Sequence, residues 1–117
     1  MPTQVLIVDD VEQVRTFVSL ALRRAGYAVM ATANAEDAMR LCATESFDLV
    51  LSDVLMPGMD GHKLVRWIAA NYPRTRTALM SGFDSAGGES DGPGCLLLRK
   101  PFTAHELAVF VARVLAS

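Results

Sequence analysis

Three aspartates occupy positions at which they could share a metal ion. Asp9 and Asp10 come directly after the apolar run at residues 5–8, and Asp53 follows a second run at residues 49–52. If both runs are strands of one parallel sheet, their carboxyl ends meet at one edge and the carboxylates converge there. Converging carboxylates repel one another and raise one another's pKa values. Because a hard cation among them would relieve that repulsion, the pattern predicts a divalent metal site.

Two further polar positions follow apolar runs in the same way. Ser81 and Gly82 come after the run at residues 75–80, and Lys100 comes shortly after the run at residues 95–98. In an open parallel sheet the ligand site lies outside the carboxyl ends of the strands. We therefore expect Ser81 and Lys100 at the same edge as the aspartates.

The rest of the pattern predicts how these residues are positioned. Short apolar runs predict strands at residues 5–8, 27–31, 47–52, 75–80 and 95–98, and amphipathic stretches predict helices among them and after the last. Asn34 is suited to cap the second helix, and Thr103 with Glu106 forms a capping box for the last. The alternation predicts an α/β fold: a doubly wound sheet of five parallel strands in the flavodoxin-like order 2-1-3-4-5.

One segment departs from the alternation. Residues 83–94 should hold the helix between the fourth and fifth strands, yet they contain four glycines, one proline and almost no apolar face. Each interior glycine costs a helix about 1 kcal/mol relative to alanine. We predict that this helix between the fourth and fifth strands, the fourth helix of the usual alternation, is short, frayed or missing.

Length, composition and charge narrow the class of protein. A chain of 117 residues with 51% hydrophobic residues can bury one core, so we predict a single domain over residues 1–117. The net charge of −2 has no basic stripe behind it, which argues against direct nucleic-acid binding. Neither a signal peptide nor an apolar run of membrane-spanning length occurs in the printed sequence, and Cys42 and Cys95 are expected to be free thiols. We predict a cytoplasmic protein without membrane contact.

Four sequence pieces resemble the receiver domain of two-component response regulators. They are residues 8–10 (Val-Asp-Asp), 53–61 (Asp-Val-Leu-Met-Pro-Gly-Met-Asp-Gly), 80–82 (Met-Ser-Gly) and 100–102 (Lys-Pro-Phe). Their order and rough spacing match that family along the whole chain. The piece from 53 to 61 is the most specific of the four.

The resemblance implies a magnesium site. Asp10 and Asp53 would be direct ligands of Mg²⁺, the backbone carbonyl of Leu55 would be a third, and Asp9 would act mainly through a coordinated water. Carboxylates, a carbonyl and water are oxygen ligands of the kind that Mg²⁺ prefers.

The resemblance also implies a phosphorylation site. Asp53 would be the phosphoacceptor, taking a phosphoryl group from a histidine kinase or a histidine phosphotransfer domain. Lys100, the Ser81 hydroxyl and the backbone N–H of Gly82 would contact the phosphoryl oxygens. Receivers commonly hold the bond before the equivalent proline in the cis form, so Lys100-Pro101 is expected to be cis.

The switch of such a domain would follow from the Ser81 contact, which draws in the loop after the fourth strand and changes the surface offered to a downstream target or fused module. Leu97 occupies the position at which receivers usually carry a tyrosine or phenylalanine, and residues 83–94 lack a good helix. A disorder-to-order change in that segment is one hypothesis for a replacement. In receivers, the side chains two residues after the phosphoacceptor and two residues after the position of Ser81 help admit or exclude the attacking water. Here they are Leu55 and Phe83, apolar side chains that cannot orient water, so the resemblance implies slow autodephosphorylation.

Several alternatives explain the same residues differently. Asp9 and Asp10 could simply cap a helix, and His62 and His105 are expected to be surface residues. A pseudo-receiver that binds partners without phosphorylation is the main alternative. An aspartyl-phosphate hydrolase usually has an Asp-x-Asp pattern, which is missing here, and a flavodoxin-like cofactor carrier would need a phosphate cradle. We expect a switch that gains and loses a phosphoryl group and is not a turnover enzyme.

Overall fold

The computed structural model describes residues 2–82 and 96–117. Within them, five strands form one parallel sheet in the order β2-β1-β3-β4-β5. The strands are β1 (Gln4–Val8), β2 (Ala28–Thr32), β3 (Leu49–Asp53), β4 (Arg76–Ser81) and β5 (Leu96–Arg99). The predicted α/β class and strand order are therefore confirmed.

Four helices accompany the sheet in the described ranges: α1 (Glu12–Arg24), α2 (Ala35–Thr44), α3 (Gly61–Asn71) and α4 (Ala104–Ala116). Asn34 caps α2 through its side chain, and Thr103 and Glu106 form the predicted capping box of α4. α1 ends before Gly26, whose φ of 103° lies in the region that favours glycine. None of the helices in residues 2–82 and 96–117 is long and apolar enough to cross a membrane.

Each face of the sheet is covered by a separate apolar layer. Side chains of a strand alternate between faces, so Leu49 and Leu51 point to one side and Val50 to the other. The first side packs against α1 and α4 and the second against α2 and α3. A strand covered on both faces is expected to be mainly apolar, and β1 from Val5 to Val8 and β3 from Leu49 to Leu51 are continuous apolar runs.

Several strands extend beyond their predicted ends. Asp53 is the last residue of β3 and Ser81 the last of β4, because Asp53 still pairs with Met80 and Ser81 with Arg99. The Lys100–Pro101 bond is cis, as expected. The prediction of a weak helix at residues 83–94 lies outside the described residues, as do the predictions on Phe83 and Cys95.

Candidate functional site

The three aspartates converge at the carboxyl edge of the sheet. One carboxylate oxygen each from Asp9, Asp10 and Asp53 can be chosen so that all three lie within 4.8 Å of one another. Asp9 and Asp53 are buried, while Asp10 is exposed. The group is therefore open to solvent on the side of Asp10. Oxygen ligands at this spacing fit a hard divalent cation, the chemistry predicted from the sequence.

Three hydrogen bonds to neighbouring residues hold Asp9 in place. Its backbone N–H donates to the carbonyl of Thr32, and its Oδ1 accepts from the backbone N–H of Val11 at 2.9 Å. Nη1 of Arg15, in the first turns of α1, donates to the Asp9 carbonyl at 2.9 Å. The capping alternative is only partly right, because the N-cap residue of α1 is Val11 and no side chain caps it. Sequence reasoning missed Arg15, whose only signal was its position one turn into α1.

Lys100 brings a positive charge into the acidic group. Its Nζ lies 3.0 Å from Oδ2 of Asp9 and 3.4 Å from Oδ1 of Asp53, and its side chain is 21% exposed. The backbone directs it there, because the Lys100 N–H donates to the Ser81 carbonyl at 2.8 Å at the end of the β4–β5 ladder. One ammonium among three carboxylates leaves a negative excess when all are ionised. That excess further favours a divalent cation.

The environment of Asp53 raises the pKa of its carboxyl group. Burial raises the pKa of the Asp53 carboxyl above its usual range, the neighbouring Lys100 ammonium opposes that rise, and the Asp9 carboxylate adds to it. Because the net pKa shift of Asp53 is upward, the Lys100 ammonium only partly offsets the cost of burying this carboxylate beside Asp9. A second cation would lower the pKa and favour the ionised carboxylate.

The remaining predicted site residues lie on or beside the same edge. Ser81 is buried at the end of β4, the neighbour of β3. Gly82 lies beside the Lys100 side chain, since a Cβ on Gly82 would be 3.9 Å from its Cδ. Leu55 follows Asp53 by two residues and has a half-exposed side chain.

The two histidines take no part in the acidic group, as expected. In residues 2–82 and 96–117, Asp9, Asp10 and Asp53 make up the cluster of possible metal ligands. His105 is exposed in the first turn of α4, and His62 is half-buried in α3.

The backbone around Asp53 is held by two residues whose roles the sequence did not reveal. Ser52 Oγ donates to the Asp53 carbonyl at 2.9 Å. The N–H of Val54 donates to the carbonyl of Met80, and the N–H of Gly61 donates to the carbonyl of Val54, each at 2.9 Å. Gly61 belongs to a turn that the sequence did indicate, but its close approach to Asp53 depends on how α3 packs. The segment that follows Asp53 therefore has a defined path.

Comparison with known proteins shows which family this chain resembles in sequence and structure. Residues 5–111 match the model of the response regulator receiver domain. The chain is 39% identical over 116 residues to the response regulator protein FleR of Pseudomonas aeruginosa, covering 97% of this chain and 24% of FleR. It is 31% identical to the response regulator receiver protein CpdR of Brucella abortus, covering 96% of each. The chemotaxis response regulator CheY4 of Vibrio cholerae has a similar structure, with a TM-score of 0.88, 31% identity, and coverage of 97% of this chain and 99% of that one.

Proposed function

Because this chain belongs to the family of response regulator receiver domains, we propose that it is a phosphorylatable switch of a two-component phosphorelay. Asp53 is the phosphoacceptor in this proposal. The observation that supports it best is the convergence of Asp9, Asp10, Asp53 and Lys100 at one edge of the sheet. A buried carboxylate beside further carboxylates and one ammonium is suited to a cation-assisted reaction.

The proposed cofactor is Mg²⁺. Asp10, Asp53 and the carbonyl of Leu55 would hold it directly, with Asp9 acting through a water. The donor set fits, since every group offers oxygen and Asp10 leaves an open side for water. When bound, Mg²⁺ neutralises charge on the transferred phosphoryl group.

The proposed reaction is a displacement at phosphorus. A carboxylate oxygen of Asp53 attacks the phosphorus of a phosphohistidine, so an O–P bond forms while the P–N bond breaks. The electron pair of the P–N bond remains on the ring nitrogen. The donor leaves as neutral imidazole when its other ring nitrogen carries a proton, and the product is an acyl phosphate on Asp53.

Three groups would contact the phosphoryl oxygens of that product. Lys100 Nζ already lies 3.4 Å from Asp53 Oδ1 and is suited to pair with one oxygen. The Ser81 hydroxyl and the N–H of Gly82 would donate to others. The new charge on Asp53 would thus attract the two donors at the end of β4, Ser81 and Gly82. Through them the site is connected to the rest of the sheet.

The proposed phosphoryl donor is a histidine kinase or a histidine phosphotransfer domain. The proposed target of the phosphorylated domain is a downstream protein or a fused module. Some relatives of this chain are DNA-binding regulators, such as NtrC of Bradyrhizobium, of which the chain spans 24%. Direct nucleic-acid contact by residues 1–117 remains predicted to be absent. A cytoplasmic location and a role as a switch, without enzymatic turnover, belong to the same proposal.

A pseudo-receiver is the second candidate, and the packing of Leu97 is the observation that favours it. Leu97 packs beside Val54, Val65 and Leu79. A leucine in this place cannot act through the ring of the aromatic residue that receivers usually carry. Such a protein would bind its partner without a phosphoryl group.

Intact mass separates the two candidates. The protein is incubated with Mg²⁺ and acetyl phosphate, beside Asp53→Asn and a sample containing EDTA. A single phosphoryl adduct, absent from both controls, supports the receiver chemistry, and its slow decay would support the prediction made from Leu55 and Phe83. A folded wild-type protein without an adduct would favour the pseudo-receiver.

A further inference from the structure

Ser52 carries a hydroxyl in a layer that is otherwise apolar. The residue is fully buried at the end of β3, on the face of the sheet covered by α2 and α3. Its Oγ lies 4.0 Å from Sδ of Met56, which belongs to the apolar layer. A buried hydroxyl is unfavourable unless it forms a hydrogen bond. The bond it forms here is with the carbonyl of the next residue, Asp53, at 2.9 Å.

The Asp53 carbonyl lies just beyond the last residue pair between β1 and β3. The last pair between β1 and β3 is Val8 with Ser52, whereas the β3–β4 ladder continues to Asp53 with Met80. Beyond that end, β1 leads to the aspartates of the site and has no residue paired with Asp53. A carbonyl at such a place needs a donor from elsewhere. The Ser52 hydroxyl is that donor.

The peptide group after Asp53 is thereby held from two directions. Its carbonyl accepts from Ser52, and its N–H, that of Val54, donates to the Met80 carbonyl at 2.9 Å. The next carbonyl, that of Val54, accepts from Gly61. The chain then reaches Leu55, whose carbonyl is a cation ligand in the proposed function.

We propose that Ser52 is a positioning residue for the cation site. By fixing the peptide group after Asp53, its hydroxyl sets the direction in which the Leu55 carbonyl points. The inference rests on the proposed function, since it requires a cation bound by Asp53 and that carbonyl. Groups that hydrogen-bond metal ligands directly typically change metal affinity about 10–100-fold when removed, and Ser52, which acts through the backbone, is expected at the lower end of that range.

The test compares three variants of the full chain by calorimetric titration with Mg²⁺. Ser52→Ala removes the hydroxyl, Ser52→Thr keeps it, and Ser19→Ala removes another buried serine hydroxyl, which lies on α1 and has no hydrogen-bond partner among the described residues. We expect Ser52→Ala to raise the Mg²⁺ Kd about tenfold. Ser52→Thr should restore it substantially, and Ser19→Ala should leave it unchanged.

A second readout separates positioning from general loosening of the fold. The rate of phosphorylation by acetyl phosphate is measured across Mg²⁺ concentrations, with urea unfolding of each variant in parallel. Ser52→Ala should need more Mg²⁺ but approach the wild-type rate at saturation.

The inference is overturned if Ser52→Ala binds Mg²⁺ as tightly as the wild type, or if Ser52→Thr is as weak as Ser52→Ala. In both cases the proposed function stands, because the wild type still binds Mg²⁺. A wild-type protein that binds no Mg²⁺ overturns the proposed function and this inference together.

Discussion

Gly61 begins α3 directly against the backbone of Asp53, and replacing it with alanine should disable the site. A Cβ at this position would lie 2.2 Å from the Asp53 carbonyl oxygen and 3.0 Å from both the Asp53 carbonyl carbon and the Cα of Val54. All three obstacles are backbone atoms, so no side-chain rotation can relieve the contact. Either α3 or the end of β3 must move.

The size of the movement follows from these distances. Close contacts between carbon and oxygen begin at about 3.3 Å, so the 2.2 Å approach requires a shift of about 1 Å. A misplacement of about 1 Å can reduce a reaction rate about a hundredfold. The repacking should also lower the free energy of unfolding by about 1–3 kcal/mol. We therefore expect Gly61→Ala to fold but to phosphorylate about a hundredfold more slowly.

The matched control is Gly26→Ala. Gly26 has a φ of 103° and open space around its Cβ position, so alanine there is strained without touching the site. It should cost about 1–2 kcal/mol of stability and leave phosphorylation unchanged. The assay is the rate at which the phosphoryl adduct forms with Mg²⁺ and acetyl phosphate, followed by intact mass, with urea unfolding alongside. Wild-type rates in Gly61→Ala, or equal losses in both variants, would refute the reasoning.

Three further outcomes are expected. Ser19→Ala should raise the free energy of unfolding, measured by urea denaturation, by about 1 kcal/mol, because the buried hydroxyl has no hydrogen-bond partner among the described residues and alanine favours the helix. A loss of stability would contradict this. The N–H and side chain of Thr103 lower the pKa of Glu106, so its ionised form stabilises the fold above the unfolded pKa of about 4.3, an advantage lost as the pH falls through the lower folded value. Glu106→Gln should therefore have a lower urea midpoint than the wild type at about pH 6 and approach it at about pH 3, whereas a constant difference would argue against this. Burial raises the pKa of Cys42, so in a Cys95→Ser background iodoacetamide should label it slowly until urea unfolds the chain, as followed by mass; fast native labelling would contradict its burial.

The order of the elements and the identities of the charged site residues could be read from the sequence. Apolar runs separated by amphipathic stretches leave few arrangements other than a parallel sheet, because successive parallel strands need crossover connections. A polar residue directly or shortly after such a run is then expected at the carboxyl edge. This local pattern is sufficient to predict that Asp9, Asp10, Asp53 and Lys100 lie at one edge of the sheet.

Tertiary packing decided what holds those residues in place. Arg15 reaches the Asp9 carbonyl because α1 packs beside β1, and Gly61 meets Asp53 because α3 begins against the end of β3. Ser52 has a carbonyl to bond because the β1–β3 ladder ends one residue earlier than the ladder on the other side. These contacts depend on where separate elements end relative to one another. Sequence periodicity identifies the face of an element, but its register and close approach to other elements are set only when the whole chain packs.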